Sequence, residues 1–453
     1  MKNKNMIENG SYGKLFLNLC VPTIVIMLVM VIYNMADIFF IGRAGNANMV
    51  AALSMSMPLF TILSGLGNIL GAGGCTAMSL ALGSNDSAKL RAYSAFCFYG
   101  SIGIGLIFGI VSLLGLGPIC RLFGANEDTF GYMQDYLRII AIGAPILLFN
   151  NVFMNLIRAD GSASASMVVN LMGTFTNIIL DPILISVFHL GVSGAALATV
   201  IGNAVSVIYL LFYTGKHKDL FSFRLKDLSL KGAVAGRVIS LGLPLSISTL
   251  LTSASSIVSN KMMISYGATA VAANGVAGKM GMLITMLIMG ICMGLQPAIS
   301  YNHAAGNNKR VGEILLKSTG LTAVLGTVLM IGSLIFRESL LAAFINDPAV
   351  IRQGRIMMLA SVLVGPIYGM YQLCQTYLQS TGRAKYATVV SMLDKGLIFI
   401  PMLLLLNAVF GLNGLIFAGF VTNVLSIVVS GVLSLRVSGV LASHPHLVEK
   451  EYV

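Results

Sequence analysis

Residues 170–184 read NLMGTFTNIILDPIL. The run is apolar on both sides, yet it carries Asp181. Asn177 stands four residues earlier, so in a helix the amide and the carboxylate share one face. Pro182 follows directly, and its missing N–H leaves the carbonyl of Ile178 without a helical partner beside that face. On insertion scales a carboxylate at the centre of a membrane costs about 2.5–3.5 kcal/mol. Ionisable groups inside a span are functional by default, which makes this stretch a proton or cation site. The competing reading is an acid neutralised by local hydrogen bonds that only supports packing.

The rest of the chain has the same character. Of its 453 residues 57% are hydrophobic and 10% charged, with a mean hydropathy of +0.88. A soluble domain carries about 25% charged residues. The composition therefore predicts an all-α protein that crosses the membrane many times. The six cysteines (Cys20, Cys75, Cys97, Cys120, Cys292 and Cys374) lie in or beside apolar segments without CxxC spacing. Neither a disulfide framework nor a thiolate metal site is expected. Lys2 and Lys4 precede an apolar run too long for a signal-peptide core, which reads as an uncleaved first helix.

A spanning helix needs about 20 apolar residues. Twelve stretches qualify: 14–41, 49–82, 90–116, 130–157, 165–188, 192–214, 234–266, 269–302, 310–336, 349–379, 385–409 and 412–436. The polar, basic segment GKHKDLFSFRLKDLSLK (215–231) lies between the sixth and the seventh. It divides the chain into an amino-terminal lobe (1–215), a cytoplasmic linker (216–232), a carboxy-terminal lobe (233–440) and a cytoplasmic tail (441–453). With the N-terminus inside, the inner segments hold nineteen Lys and Arg and the outer ends six, with Lys261, Lys279 and Lys395 inside helices. This bias places both termini in the cytoplasm. It also accounts for the net charge of +12 without any nucleic-acid partner.

The halves repeat. Pro22 and Pro244, Pro145 and Pro366, Gly161 and Gly382, Gly194 and Gly414, and Asn203 and Asn423 are each 220 to 222 residues apart. Six helices per half send both copies into the membrane in the same direction. Parallel repeats of this kind are a mark of secondary transporters.

Depths follow from the helical rise. Asp37 sits about 6 Å, Asp181 and Thr199 about 10 Å, and Asn177 about 15 Å below the outer edge. Four oxygen-bearing side chains from three helices thus share one slab of the first lobe. Two acids close together in low dielectric cannot both ionise freely, as a proton carrier requires. Oxygen ligands suit Na⁺ equally, so the spacing leaves H⁺ or Na⁺ open as coupling ion. No other metal or cofactor is expected. The second lobe does not copy the set. It holds Lys279 and Asp394 near mid-plane instead, and an ion pair there would act as a gate or substrate-linked switch, or simply hold structure. Lys395, next to Asp394, is the alternative partner. Met27, Met30, Met55, Met57, Met282, Met286 and Met289 on early helices of both halves suit a pocket that accepts many ligands.

These features resemble a known family. VIYNMADIFFIG (31–42), RADG (158–161), NIILDP (177–182) and the double six-helix repeat are similar to multidrug and toxic compound extrusion (MATE) transporters, in particular the DinF-type and MepA-like bacterial branch. The resemblance covers nearly the whole chain. It implies two six-helix lobes facing each other in a V, which rock to export cationic amphiphiles against H⁺ or Na⁺; the chain is expected to work as a monomer in the cell membrane. It also implies Asp37, Asn177, Asp181 and Thr199 as the amino-lobe cation site. The acids that the NorM-like branch carries in helices seven and ten are absent within the membrane here. A lipid-linked precursor flippase of the same superfamily is the nearest alternative. An intramembrane enzyme lacks its motifs, HExxH and a Ser/His set among them.

Overall fold

The computed structural model describes residues 4–43, 47–229, 232–342 and 347–443, with the side chains of 4, 34–43, 47, 268 and 435–443 left aside. Asp37 therefore lies outside the described side chains, and most of the tail lies outside the described residues. The first lobe comprises α1 (Val21–Arg43), α2 (Ala47–Gly83), α3 (Ser87–Leu114), α4 (Glu127–Leu156), α5 (Ala163–Pro182) and α6 (Gly191–Lys216). The second comprises α7 (Gly232–Ile264), α8 (Ala268–Ala304), α9 (Asn308–Ile335), α10 (Pro348–Ser380), α11 (384–410) and α12 (412–443).

The last two helices run on from each other. The apolar run Ala384–Ser434 is 51 residues long. At 1.5 Å per residue it would reach about 75 Å, more than twice a bilayer core of about 30 Å. Gly411 (φ 58°, ψ −137°) breaks it in the middle, which yields the twelve spans expected.

The duplication is written into the backbone. Left-handed corners fall at Asn85 and Gly306, at Gly161 and Gly382, and at His189 and Gly411, each pair 221 or 222 residues apart. Asp86 accepts a hydrogen bond from the Lys89 amide at 3.0 Å and so caps α3. Asn307 accepts from the Arg310 amide at 3.2 Å and caps α9 in the same way. These caps satisfy helix-end donors that would otherwise be orphaned.

Within each lobe the fourth helix is the central stave. α4 packs on α2, α3 and α6, and its counterpart α10 packs on α8 and α9. The linker is held rather than loose. Phe221 is buried, and Phe223 sits with its ring 4.6 Å from Phe98. The Tyr99 hydroxyl donates to the Phe223 carbonyl at 2.9 Å.

The lobes meet at the end that bears the linker. Thr23 donates to the Gly290 carbonyl at 2.7 Å, Gln296 to Thr76 at 2.8 Å, and Asn68 to Thr249 at 3.2 Å. Tyr301 reaches Glu8 at 2.6 Å. Between α2 and α7 the backbones touch: a Cβ on Gly73 would overlap the Val238 carbonyl, and one on Gly242 the Ile69 carbonyl. Small residues permit such an approach in membrane helices. Gly242→Ala should therefore push the lobes apart at this end. Cys20, buried in the seam with its thiol 3.6 Å from the Ile291 carbonyl, reports on it. Alkylation of Cys20 by N-ethylmaleimide, followed by mass spectrometry, should rise several-fold in the variant.

Candidate functional site

α5 and α6 approach closely because both are glycine where they cross. A Cβ on Gly202 would lie 2.6 Å from the Gly173 carbonyl oxygen and 3.2 Å from the Asn177 Cβ. This contact presses the Asn177 side chain against α6, where Thr199 lies one turn before Asn203. Asn177 donates to the Thr199 hydroxyl at 3.4 Å. The Tyr33 hydroxyl, from α1, is 3.3 Å from the same oxygen. A second tier supports the first: Asn203 donates to the Thr199 carbonyl at 2.8 Å and accepts from Asn150 of α4 at 2.7 Å. One hydroxyl thus joins three helices, and an amide ladder ties it to the central stave.

Asp181 is fully enclosed, with 0% of its surface exposed, and Asn177 retains 2% and Thr199 6%. The Asn177 carbonyl oxygen is buried with no hydrogen-bond partner among the described residues. A buried side-chain oxygen of that kind, one helical turn from a carboxylate and beside a helix that carries a hydroxyl, belongs to the donor types a small cation or a proton-bearing group accepts. Asp37 is one helical turn beyond Tyr33 in α1. Its side chain lies outside the described ones.

Just past the acid the helix changes. Pro182 ends the regular hydrogen bonding, and residues Ile183–Val187 form a π-turn. A second π-turn, Phe16–Cys20, precedes Pro22 at the start of α1. Such bulges insert a residue into the helical register and recur at functional sites.

The second lobe is built differently. Asn423 repeats the bond of Asn203 by donating to the carbonyl of Gly419 at 2.9 Å, but glycine there supplies no hydroxyl. Asp394, 2% exposed, pairs with its neighbour Lys395 at 2.7 Å. The partner it takes is thus the adjacent lysine, the alternative to Lys279, which lies exposed on α8. Sequence reasoning passed over Tyr33, Asn150 and Asn203 as site residues. The signal for Tyr33 was its place four residues before Asp37, and for Asn150 an amide inside an apolar run.

A sequence profile described as MatE matches this chain twice, over residues 22–183 and 244–405. The chain belongs to the MATE family. The two matches fall one on each lobe of this MATE transporter. It is 32% identical over 422 residues to the multidrug export protein MepA of Staphylococcus aureus strain N315, covering 92% of this chain and 93% of that one. The MepA of Staphylococcus saprophyticus is 30% identical over 420 residues, again with 92% and 93% coverage. Its fold matches a structure described as the outward-facing conformation of a multidrug resistance MATE family transporter of the MOP superfamily, with a TM-score of 0.89, 21% identity and coverage of 96% and 98%. A second, described as MATE in complex with MaL6, gives 0.90, 20%, 96% and 98%. A MATE protein is a membrane transporter and not an enzyme.

The shared hydroxyl can be tested. Thr199→Val keeps the shape and removes the oxygen contacted by Tyr33 and Asn177. A hydrogen bond contributes about 0.5–1.5 kcal/mol net, with a further cost for partners left unpaired. Transport should fall by about three- to tenfold, since 1.4 kcal/mol is a factor of ten. Thr199→Ser should retain most of it, and transport rates in vesicles check both.

Proposed function

We propose that this protein is a secondary multidrug exporter that moves organic cations out of the cell against H⁺ or Na⁺. The observation that carries the reading is the enclosed carboxylate of Asp181, one turn from the Asn177–Thr199–Tyr33 cluster. The relatives named multidrug export proteins support the substrate class. Asp37, Asn177, Asp181 and Thr199 form the coupling site in this reading, with Tyr33 added to it.

The positive-inside bias places the linker end in the cytoplasm. Contacts between the lobes at that end support a state closed to the cytoplasm. Loading a proton or cation at Asp181 neutralises a charge inside the first lobe. The π-turns beside Pro22 and Pro182 are the weak points in α1 and α5 where that change can alter helix register. Substrate is then released outward, and the emptied carrier returns. Coupling of this kind requires the ion to bind the two conformations with different affinity.

Reconstituted vesicles decide the matter. Ethidium transport should follow an imposed pH gradient or a Na⁺ gradient. Asp181→Asn should lower it by an order of magnitude or more, with unchanged amounts of protein in the membrane. Transport by that variant at the native rate removes the coupling role. Transport by the native protein that ignores both gradients removes antiport and leaves a passive pathway.

A further inference from the structure

Consecutive residues of an α-helix point about 100° apart and do not face each other. Asp394 and Lys395 nevertheless form an ion pair, at 2.7 Å. Both lie in the π-turn Leu393–Leu397 of α11. α7 holds the turn's backbone: Ser255 donates to the Lys395 carbonyl, and Gly396 faces Leu251. The lysine side chain is the more accessible of the two. The Asp394 side chain is only 1% exposed, whereas that of Lys395 is 25% exposed.

The surroundings of the ammonium are those of a cation receptor. Its nitrogen is 5.7 Å from the centre of the Tyr368 ring. Tyr371, fully buried, lies with its ring tilted against that of Tyr368 at 6.1 Å. One carboxylate and the ring of Tyr368, which Tyr371 backs, thus flank a positive charge, and that charge belongs to a flexible side chain.

We propose that Asp394, Tyr368 and Tyr371 form a recognition box for an organic cation, in which the Lys395 ammonium occupies the substrate's place until a cation displaces it. This rests on the export reading above and adds where the transported cation is recognised. Exchange conserves charge, so no carboxylate is left buried and unpaired at any stage. The displaced ammonium, compact and strongly hydrated, regains water along its accessible side. A flat aromatic cation gains the ring faces and loses little hydration, so it is favoured over Na⁺ or K⁺. The first lobe has no counterpart: at the repeat distance of 220 to 222 residues before Asp394 stand Thr174, Gly173 and Met172, none of them an acid. Ion and substrate are then handled in separate lobes.

The test uses purified full-length protein in detergent, with ethidium binding read by fluorescence anisotropy. Lys395→Ala should lower the Kd several-fold, because the built-in competitor is gone. Asp394→Asn and Tyr368→Leu should raise it, and the neutral double variant Asp394→Asn/Lys395→Met should match Asp394→Asn. In the native protein, ethidium should increase acetylation of Lys395 by an amine-reactive ester, read by mass spectrometry, and this arm requires no variant to fold. A Lys395→Ala protein that binds no tighter than the native one, or acetylation that ethidium leaves unchanged or lowers, overturns the proposal. If the native protein binds ethidium while these effects are missing, export stands and the box falls. If the native protein neither binds nor transports ethidium, the export reading falls with it.

Discussion

A charged group enclosed by hydrocarbon side chains must be matched locally, because no solvent is there to do it. This constraint governs a polar centre in each lobe. In the first lobe it explains why Asn177, Thr199, Tyr33, Asn203 and Asn150 stand in contact rather than scattered over four helices. In the second it explains why Asp394 bends its own neighbour back onto itself through a π-turn. The glycine crossing of α5 and α6 follows from the same need: with a side chain at Gly173 or Gly202, Asn177 could not reach α6.

The two lobes show how a duplicated scaffold can diverge. Corners and caps are copied, down to paired left-handed residues and capping side chains. These positions set where the chain turns, and any change in them would move whole helices. The interior polar groups are free of that duty and have parted. Asn423 keeps the backbone bond of Asn203, but the hydroxyl and carboxylate beside it are gone. An acid and a lysine have arisen elsewhere in that lobe.

Much of the architecture was legible in the residues. The spans could be counted from apolar length, and the midpoint from the basic segment 215–231. The break at Gly411 was visible as a short gap between two apolar runs, although the helix runs nearly continuously through it. Phe221 and Phe223 were hidden inside that basic segment, since two aromatic residues do not reveal whether a lobe lies beneath them. Of the site, Asn177, Asp181 and Thr199 could be assigned to one slab of the first lobe from helical rise alone. Depth does not give rotation about the helix axis, so Tyr33 and the Asn150–Asn203 tier were not foreseen. The preference of Asp394 for Lys395 over Lys279 depends on a π-turn, and regular helical geometry assumes that there is none.

The Gly73–Gly242 contact has a consequence for how quickly the molecule can change state. Where side chains interlock, separation requires each to find a new rotamer, and re-engagement must order them again. Glycines that meet main chain to main chain have no side chains of their own to disentangle. Such faces adhere through many weak dispersion contacts, yet they peel apart and reseat without any search, as a latch does and a knot does not.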